Sequence, residues 1–165
     1  MNIRPAITRD IDDICRLLAL LFAQEAEFTP DRETQQRGVE AILANPDQGL
    51  IFVLEQSGRI AAIASLQFLI STALGGKVAL LEDVIVEEAF RGKGLGAALI
   101  QHIRQYAAGN NILRLTLLTD AHNAPAQAFY KKQGFQTSPM IPMRLYPSEQ
   151  RQPTVELRMK GKTDA

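Results

Sequence analysis

An apolar strand, a glycine-rich loop and an amphipathic helix follow one another in the middle of this 165-residue chain. The run Lys77 to Val86 is apolar throughout apart from Glu82 and Asp83, which is typical of a central strand covered on both faces. The loop over residues 87–93 leads into a helix predicted from about residue 94 to 108. A second strand and helix follow, so the order of elements predicts an α+β domain with a strand, helix, strand, helix core.

The loop has glycine at alternate positions 92, 94 and 96, immediately before a helix N-terminus. Several backbone N–H groups and the positive end of the helix then face one anion, and glycine lets the backbone approach it closely. Arg91 and Lys93 add positive charge at the rim. These residues predict phosphate binding, with an ordinary flexible turn as the alternative. Leu95 stands where a P-loop needs lysine, and the dinucleotide-binding fingerprint also fails.

Hydrophobic periodicity and turn residues place the other elements. Asp10 is expected to cap the first helix, Asn123 the last, and Ser57-Gly58 to form a tight hairpin turn. Strands are predicted at 3–7, 50–55, 60–70, 113–119, 140–146 and 154–159, and further helices at 11–21, 32–44 and 123–133. We expect one domain over residues 1–160, with a loose tail at 161–165.

Composition excludes several classes of function. Eighteen basic residues balance eighteen acidic ones, so the basic footprint of a nucleic-acid or anionic-membrane binder is lacking. The single Cys15 cannot form an internal disulfide, and His102 and His122 have no partners at metal-ligand spacing, so no metal is expected. With no signal peptide or membrane span in the sequence, a cytoplasmic protein is expected.

Two segments resemble one known family. Residues 91–96, Arg-Gly-Lys-Gly-Leu-Gly, resemble the Arg/Gln-x-x-Gly-x-Gly/Ala motif of the GNAT N-acetyltransferase superfamily. Residues 123–135 resemble its Asn-x-x-Ala-x-x-Phe-Tyr-x-x-x-Gly-Phe segment, and the resemblance covers about Leu80 to Phe135. It implies a mixed, mostly antiparallel sheet of six to seven strands with about four helices and a splayed pair of central parallel strands.

The resemblance also implies that the chain uses acetyl-coenzyme A. The pantetheine arm is expected between the strand that ends at Val86 and the 113–119 strand, and the pyrophosphate on the N–H groups of the glycine-rich loop. The residues implied to contact the coenzyme are Val84, Ile85, Val86, Arg91, Gly92, Lys93, Gly94, Leu95, Gly96, Asn123 and Ala126.

By the same resemblance, Glu82 is the candidate base, because related polyamine acetyltransferases have a similar Leu-Glu-Asp run. A structural ion pair or a solvated charge is the alternative for Glu82. Strand alternation places Glu82 and Asp83 on opposite faces, so only one is expected in the site, and Asp83 remains an alternative base. Tyr130 is the candidate acid for the departing thiolate, with a core tyrosine as the alternative.

The predicted reaction is direct acetyl transfer to a primary amine. The acceptor is a small molecule, polyamine-like or amino-acid-like, or a protein amine, in a pocket formed by residues 29–44 and 138–153. Because many family members dimerise, a homodimer is compatible with the resemblance. Two alternatives remain: an acyl-coenzyme A sensor without catalysis, and an interaction domain whose glycine-rich loop is only a turn.

Overall fold

The computed structural model describes residues 1–24 and 28–147. Its strands are β1 (Asn2–Pro5), β2 (Gly49–Gln56), β3 (Arg59–Ser71), β4 (Gly76–Val86) and β5 (Leu115–Leu117). Its helices are α1 (Ile11–Phe22), α2 (Arg32–Ala44), α3 (Leu95–Gly109) and α4 (Ala124–Lys132), with short 3-10 turns at Thr8–Asp10 and Glu88–Phe90.

The strands form one sheet in the order β1-β2-β3-β4-β5, antiparallel except for the parallel pair β4 and β5. Within the described residues the sheet therefore has five strands, and the expected six to seven are not matched. The α+β class, the mixed and mostly antiparallel sheet and the four α-helices are confirmed for this part of the chain.

The difference in strand number lies at the C-terminal end. Residues 140–146 form no strand, and Met140 and Met143 are 85% and 94% exposed. Pro142 interrupts this segment, and a proline has no N–H to donate to a strand ladder. The other predicted strand, 154–159, and the tail 161–165 lie outside the described residues.

The sheet separates two apolar layers. On one face α3 packs against the sheet through residues such as Leu99 and Ile103. On the other face α1 and α2 pack against it through residues such as Leu17 and Val39. Strand β4 contributes to both layers, so a side chain on β4 lies beneath either α3 or the α1–α2 pair, depending on its position.

Local signals explain most element boundaries. Helix α2 begins after Asp31, whose carboxylate accepts hydrogen bonds from the N–H groups of Glu33 and Thr34. The Ser57-Gly58 turn has positive φ at both residues, 54° and 74°, as its hairpin requires. Asp10 is the N-cap residue of α1 as expected, although its carboxylate makes no capping bond to that helix.

The Asp10 carboxylate instead accepts a hydrogen bond from the Ile7 N–H and pairs with Arg4 at 2.7 Å. Hydrogen bonding to Arg4 holds the pKa of Asp10 below its ordinary value. This partly buried ion pair ties β1 to the turn before α1.

Candidate active site

A gap opens between β4 and β5. Their pairing covers only Ala79–Leu81 against Leu115–Leu117, although β4 continues to Val86. On its other edge β4 stays paired with β3, where Ile85 lies opposite Ile63 and the Glu87 N–H bonds to the Ala61 carbonyl. Since hydrogen-bonding direction alternates along an antiparallel strand, Val84 and Val86 direct their backbone polar groups into the gap. The expected splay of the parallel pair is thus present.

The glycine-rich loop follows at the end of this gap. Gly92 and Gly94 have positive φ of 73° and 77°, and Gly94 is the N-cap of α3. The first bond of the helix runs from the Ala98 N–H to the Gly94 carbonyl at 3.0 Å. The N–H groups at positions 95–97 therefore have no partner within the helix and point out of its N-terminus. Backbone donors and the helix dipole make this end suitable for an anion.

Gly96 has a different role from the other two glycines. A Cβ at this position would stand 3.3 Å from Cζ of Phe129 and 3.5 Å from Cγ2 of Val86. Position 96 therefore allows α3 to pack closely against α4 and the end of β4. It brings the α4 motif up to the glycine-rich loop, which sequence spacing alone could not show.

Two basic side chains lie beside the loop. The Arg91 Nε donates to the Val86 carbonyl at 3.0 Å, and one Nη donates to Oε1 of Gln24 at 3.3 Å. Lys93 donates to the Ala89 carbonyl at 3.0 Å. Both side chains are exposed, so they are accessible to an anion at the helix end.

Helix α4 begins and ends as predicted. Oδ1 of Asn123 accepts a hydrogen bond from the Ala126 N–H at 3.1 Å, which confirms the N-cap. Gly134 has φ of 94° and the Phe135 N–H bonds to the Tyr130 carbonyl, which terminates the helix. The Tyr130 ring lies between Phe129 and Phe135, at centroid distances of 5.1 Å and 5.8 Å.

This environment determines the ionisation of Tyr130. Burial among aromatic rings disfavours the phenolate and raises the pKa of Tyr130 to about 12. The hydroxyl is therefore protonated at neutral pH and can donate a hydrogen bond.

A β-bulge interrupts β4 at Glu82 and Asp83. Leu81 lies opposite Leu66 and Val84 opposite Ala64, so two residues of β4 face the single Ser65. Leu81 and Val84 consequently both pack in the α3 layer. The extra residue breaks the two-residue period between Leu81 and Val84, and of the two acidic residues only Asp83 lines the cavity on the α1–α2 face.

The two carboxylates of the bulge have unlike surroundings. Glu82 is exposed, whereas Asp83 is half-buried. Ser65 Oγ donates to Oδ2 of Asp83 at 3.0 Å and accepts a bond from the Asp83 N–H at 3.1 Å. Burial raises the pKa of Asp83 to about 6, with a further increase from the Glu82 charge, while the Ser65 hydrogen bond opposes it. At neutral pH Asp83 is thus mainly ionised, yet close to its titration point.

Asp83 and Ser65 line a cavity of about 280 Å³ between α1, α2 and the sheet. Its other walls are mostly apolar and include Leu18, Phe22 and Val39. Predicted pocket residues in the 29–44 range line this cavity, but none of the described residues from 138 to 147 does. Residues 148–153 lie outside the described part.

Gln35 also lines the cavity, and sequence analysis missed it. It is 9% exposed, and its Oε1 is buried with no hydrogen-bond partner in the described structure. Its only sequence signal was a polar residue four positions before Val39, on the buried face of α2.

A metal-binding cluster and a membrane-spanning helix are both absent from the described residues. Across residues 1–24 and 28–147, no group of three or more His, Cys, Asp or Glu residues is arranged to hold a metal ion. Nor is any helix there long and apolar enough to cross a membrane.

Comparison with known proteins agrees with the gap, the loop and the α4 motif. The Acetyltransferase (GNAT) family model matches residues 11–135, and the chain belongs to this family of acetyl-coenzyme A-dependent N-acetyltransferases. The uncharacterized N-acetyltransferase YhfO of Bacillus subtilis is 31% identical over 139 residues, which cover 82% of this chain and 90% of YhfO. The glucosamine 6-phosphate N-acetyltransferase of Trypanosoma brucei is 34% identical over 86 residues, covering 52% and 56% of the two chains.

Solved structures share the fold. A predicted acetyltransferase of Clostridium acetobutylicum, whose crystal structure contains acetyl-CoA, superposes with a TM-score of 0.71 at 22% identity. The match covers 88% of this chain and 95% of the other.

Proposed function

We propose that this enzyme transfers an acetyl group from acetyl-coenzyme A directly to a primary amine, with Asp83 as the general base. The observation that carries the proposal is the position of Asp83. It lies in the bulge of β4 just before the gap and lines the apolar cavity on the α1–α2 face. One strand thus brings together a titratable carboxylate and a backbone edge that has no neighbouring strand.

The coenzyme site proposed here uses the gap and the loop. The backbone groups of Val84 and Val86 pair with the amides of the pantetheine arm, in place of a neighbouring strand. The N–H groups at 95–97 bind the pyrophosphate, with Arg91 and Lys93 beside it. Ile85 contributes packing, since its side chain belongs to the α1–α2 layer. Asn123 and Ala126 lie in the first turn of α4, which Gly96 brings close to the loop.

The acetyl-coenzyme A thioester supplies the carbonyl carbon that the amine attacks. Asp83 accepts the proton that the amine nitrogen loses as the new C–N bond forms, directly or through water. Tyr130 donates a hydrogen bond to the sulfur as the C–S bond breaks, and the thiolate then takes up a proton. Both groups have the required ionisation at neutral pH.

Asp83 is preferred to Glu82 as the base. A base acts best when its pKa is near the working pH and when it lies beside the acceptor. Asp83 meets both conditions, because it lines the cavity and has a pKa of about 6. Glu82 is exposed and does not line the cavity.

Release of free thiol across a panel of amines tests the proposal. Acceptor-dependent release with stoichiometric acetylated amine is expected. Binding of acetyl-coenzyme A without release, for any amine, would instead support a sensor. No binding in calorimetry would support an interaction domain.

Replacing Tyr130 by phenylalanine tests the acid. We expect kcat to fall about 100-fold, because the sulfur loses its donor, while the Kd for acetyl-coenzyme A stays within about threefold. Tyr106→Phe is a matched control, since Tyr106 is also partly buried in the α3 layer and its pKa is likewise raised by burial. Equal kcat values for the two variants would exclude the acid role of Tyr130.

Replacing Ser65 by alanine tests how Asp83 is tuned. The variant loses the hydrogen bond that stabilises the Asp83 carboxylate, so the pKa of Asp83 rises further. In a plot of kcat against pH, we expect the acid limb to move to higher pH. At alkaline pH the kcat of the variant should approach that of the wild type. Ser65→Thr keeps a hydroxyl and should restore the profile. An unmoved acid limb in Ser65→Ala would argue against a base at Asp83.

A further inference from the structure

The cavity beside Asp83 differs from a site for a sugar phosphate or a polyamine. No Lys, Arg or His is among the described residues that line it, so the charge of a phosphate or carboxylate would have no cationic partner. Its walls carry eight apolar side chains from α1, α2, the segment before α2 and the sheet. These walls favour an apolar body on the acceptor.

A second ammonium would find few acceptors in the cavity. Apart from Asp83, the only charged side chain lining the cavity in the described residues is Asp31. Its carboxylate already accepts bonds from the Glu33 N–H, the Thr34 N–H and the Thr34 hydroxyl. Three of the about four acceptor positions of Asp31 are therefore used in capping α2, which leaves Asp31 little capacity to bind the second ammonium of a long diamine.

Gln35 carries a buried polar atom in the cavity that has no hydrogen-bond partner in the described structure. Ser65 and Thr34 have hydrogen-bond partners within the protein, whereas the buried Oε1 of Gln35 has none in the described structure. Leaving a buried acceptor unpaired is costly, and a ligand donor that reaches it recovers that cost. Gln35 therefore selects a ligand with an N–H or O–H group besides the reacting amine.

The size of the cavity suits a small ligand. A volume of about 280 Å³ lies near the lower end of the range for small-molecule sites, which favours a small acceptor.

We infer that the acceptor is a compact primary amine on an apolar body that carries one hydrogen-bond donor, and that Gln35 is the residue that recognises this donor. The inference rests on the proposed acetyl transfer and names its substrate class. Leucinol has this chemistry: a branched apolar body, one amine and one hydroxyl. Its isostere 5-methylhexan-3-amine has a methyl in place of the hydroxyl.

The test measures kcat/KM for thiol release with both amines, with spermidine, with glucosamine 6-phosphate and with a peptide that begins with leucine. Wild-type protein should prefer leucinol to its isostere about tenfold or more, since the isostere leaves Gln35 unpaired. Gln35→Leu should abolish this preference. Gln36→Leu is the matched control, because Gln36 is adjacent on α2 and bonds to Glu40 rather than lining the cavity; it should retain the preference.

Other results overturn the inference in distinguishable ways. Faster transfer to spermidine, glucosamine 6-phosphate or the peptide would refute the compact apolar acceptor while leaving acetyl transfer intact. A leucinol preference that persists in Gln35→Leu would refute the role of Gln35. Absence of thiol release with every amine would refute the proposed function itself.

Discussion

Asp83→Asn is expected to lower kcat by about 100-fold to 10,000-fold at pH 7.5, and at the same pH to make the protein more stable. The activity falls because an amide cannot accept the proton of the attacking amine. Asparagine keeps nearly the same shape, and its Oδ1 can still accept the bond from Ser65 Oγ. Steady-state thiol release measures the activity.

The sign of the stability change follows from the raised pKa. In the folded protein the pKa of Asp83 is about 6, against an ordinary value of 3.8. Between these values the unfolded chain releases its proton while the folded chain keeps it, so the folded state loses stability as pH rises. Above about pH 6 the penalty is constant, and a shift of about two pKa units corresponds to at most about 3 kcal/mol.

Asparagine carries no charge and avoids this penalty. The free energy of unfolding of Asp83→Asn should therefore exceed that of wild type by up to about 3 kcal/mol at pH 7.5, with the gain disappearing near pH 4. Denaturant unfolding at both pH values measures it. A less stable and fully active Asp83→Asn protein would contradict both parts of the prediction.

Glu82→Gln is the matched control, since Glu82 is adjacent in the same bulge but exposed. With Asp83 as the base, Glu82→Gln should keep kcat within a few fold of wild type. A large loss in Glu82→Gln together with an active Asp83→Asn would restore Glu82 as the base. The pair of variants therefore decides between the two carboxylates.

The choice between these carboxylates shows where sequence reasoning stops. The run of apolar residues predicts β4, and the two acidic residues stand out from it, but the bulge is a relation between β4 and Ser65 on β3. No local pattern encodes how many residues of one strand face one residue of the next. The face and burial of Asp83 therefore depend on tertiary pairing.

The boundaries of helices and strands were predictable where a capping residue or a proline lies next to them in the sequence. Helix α2 has the predicted bounds, Arg32–Ala44, because Asp31 caps it and Asn45-Pro46 stops it. Strand β5 is shorter than the predicted 113–119, because only three residues pair before it diverges from β4. Its sequence is compatible with a longer strand, but beyond Leu117 β5 diverges from β4 and has no strand to pair with.

Gln35 was missed for a similar reason, since the cavity that it lines exists only once α1, α2 and the sheet have assembled.

Gly94→Ala is expected to raise the Kd for acetyl-coenzyme A about tenfold or more. Alanine at the positive φ of 77° is strained, which disturbs the loop conformation that directs the N–H groups at 95–97 towards one anion. The added methyl meets no protein atom within 4 Å, so it stands on the open surface where the pyrophosphate is proposed to bind. Calorimetric titration with acetyl-coenzyme A measures the effect.

Gly58→Ala provides a matched control in the β2–β3 turn. Gly58 has a closely similar φ of 74°, and a Cβ there also meets nothing within 4 Å. Both variants should lose about 1 kcal/mol of stability from the same backbone strain. Only Gly94→Ala should weaken coenzyme binding, and S-acetylpantetheine, which lacks the pyrophosphate, should bind both variants equally. If Gly58→Ala weakened acetyl-coenzyme A binding as much, the loss would reflect fold stability, and the loop would not be the phosphate site.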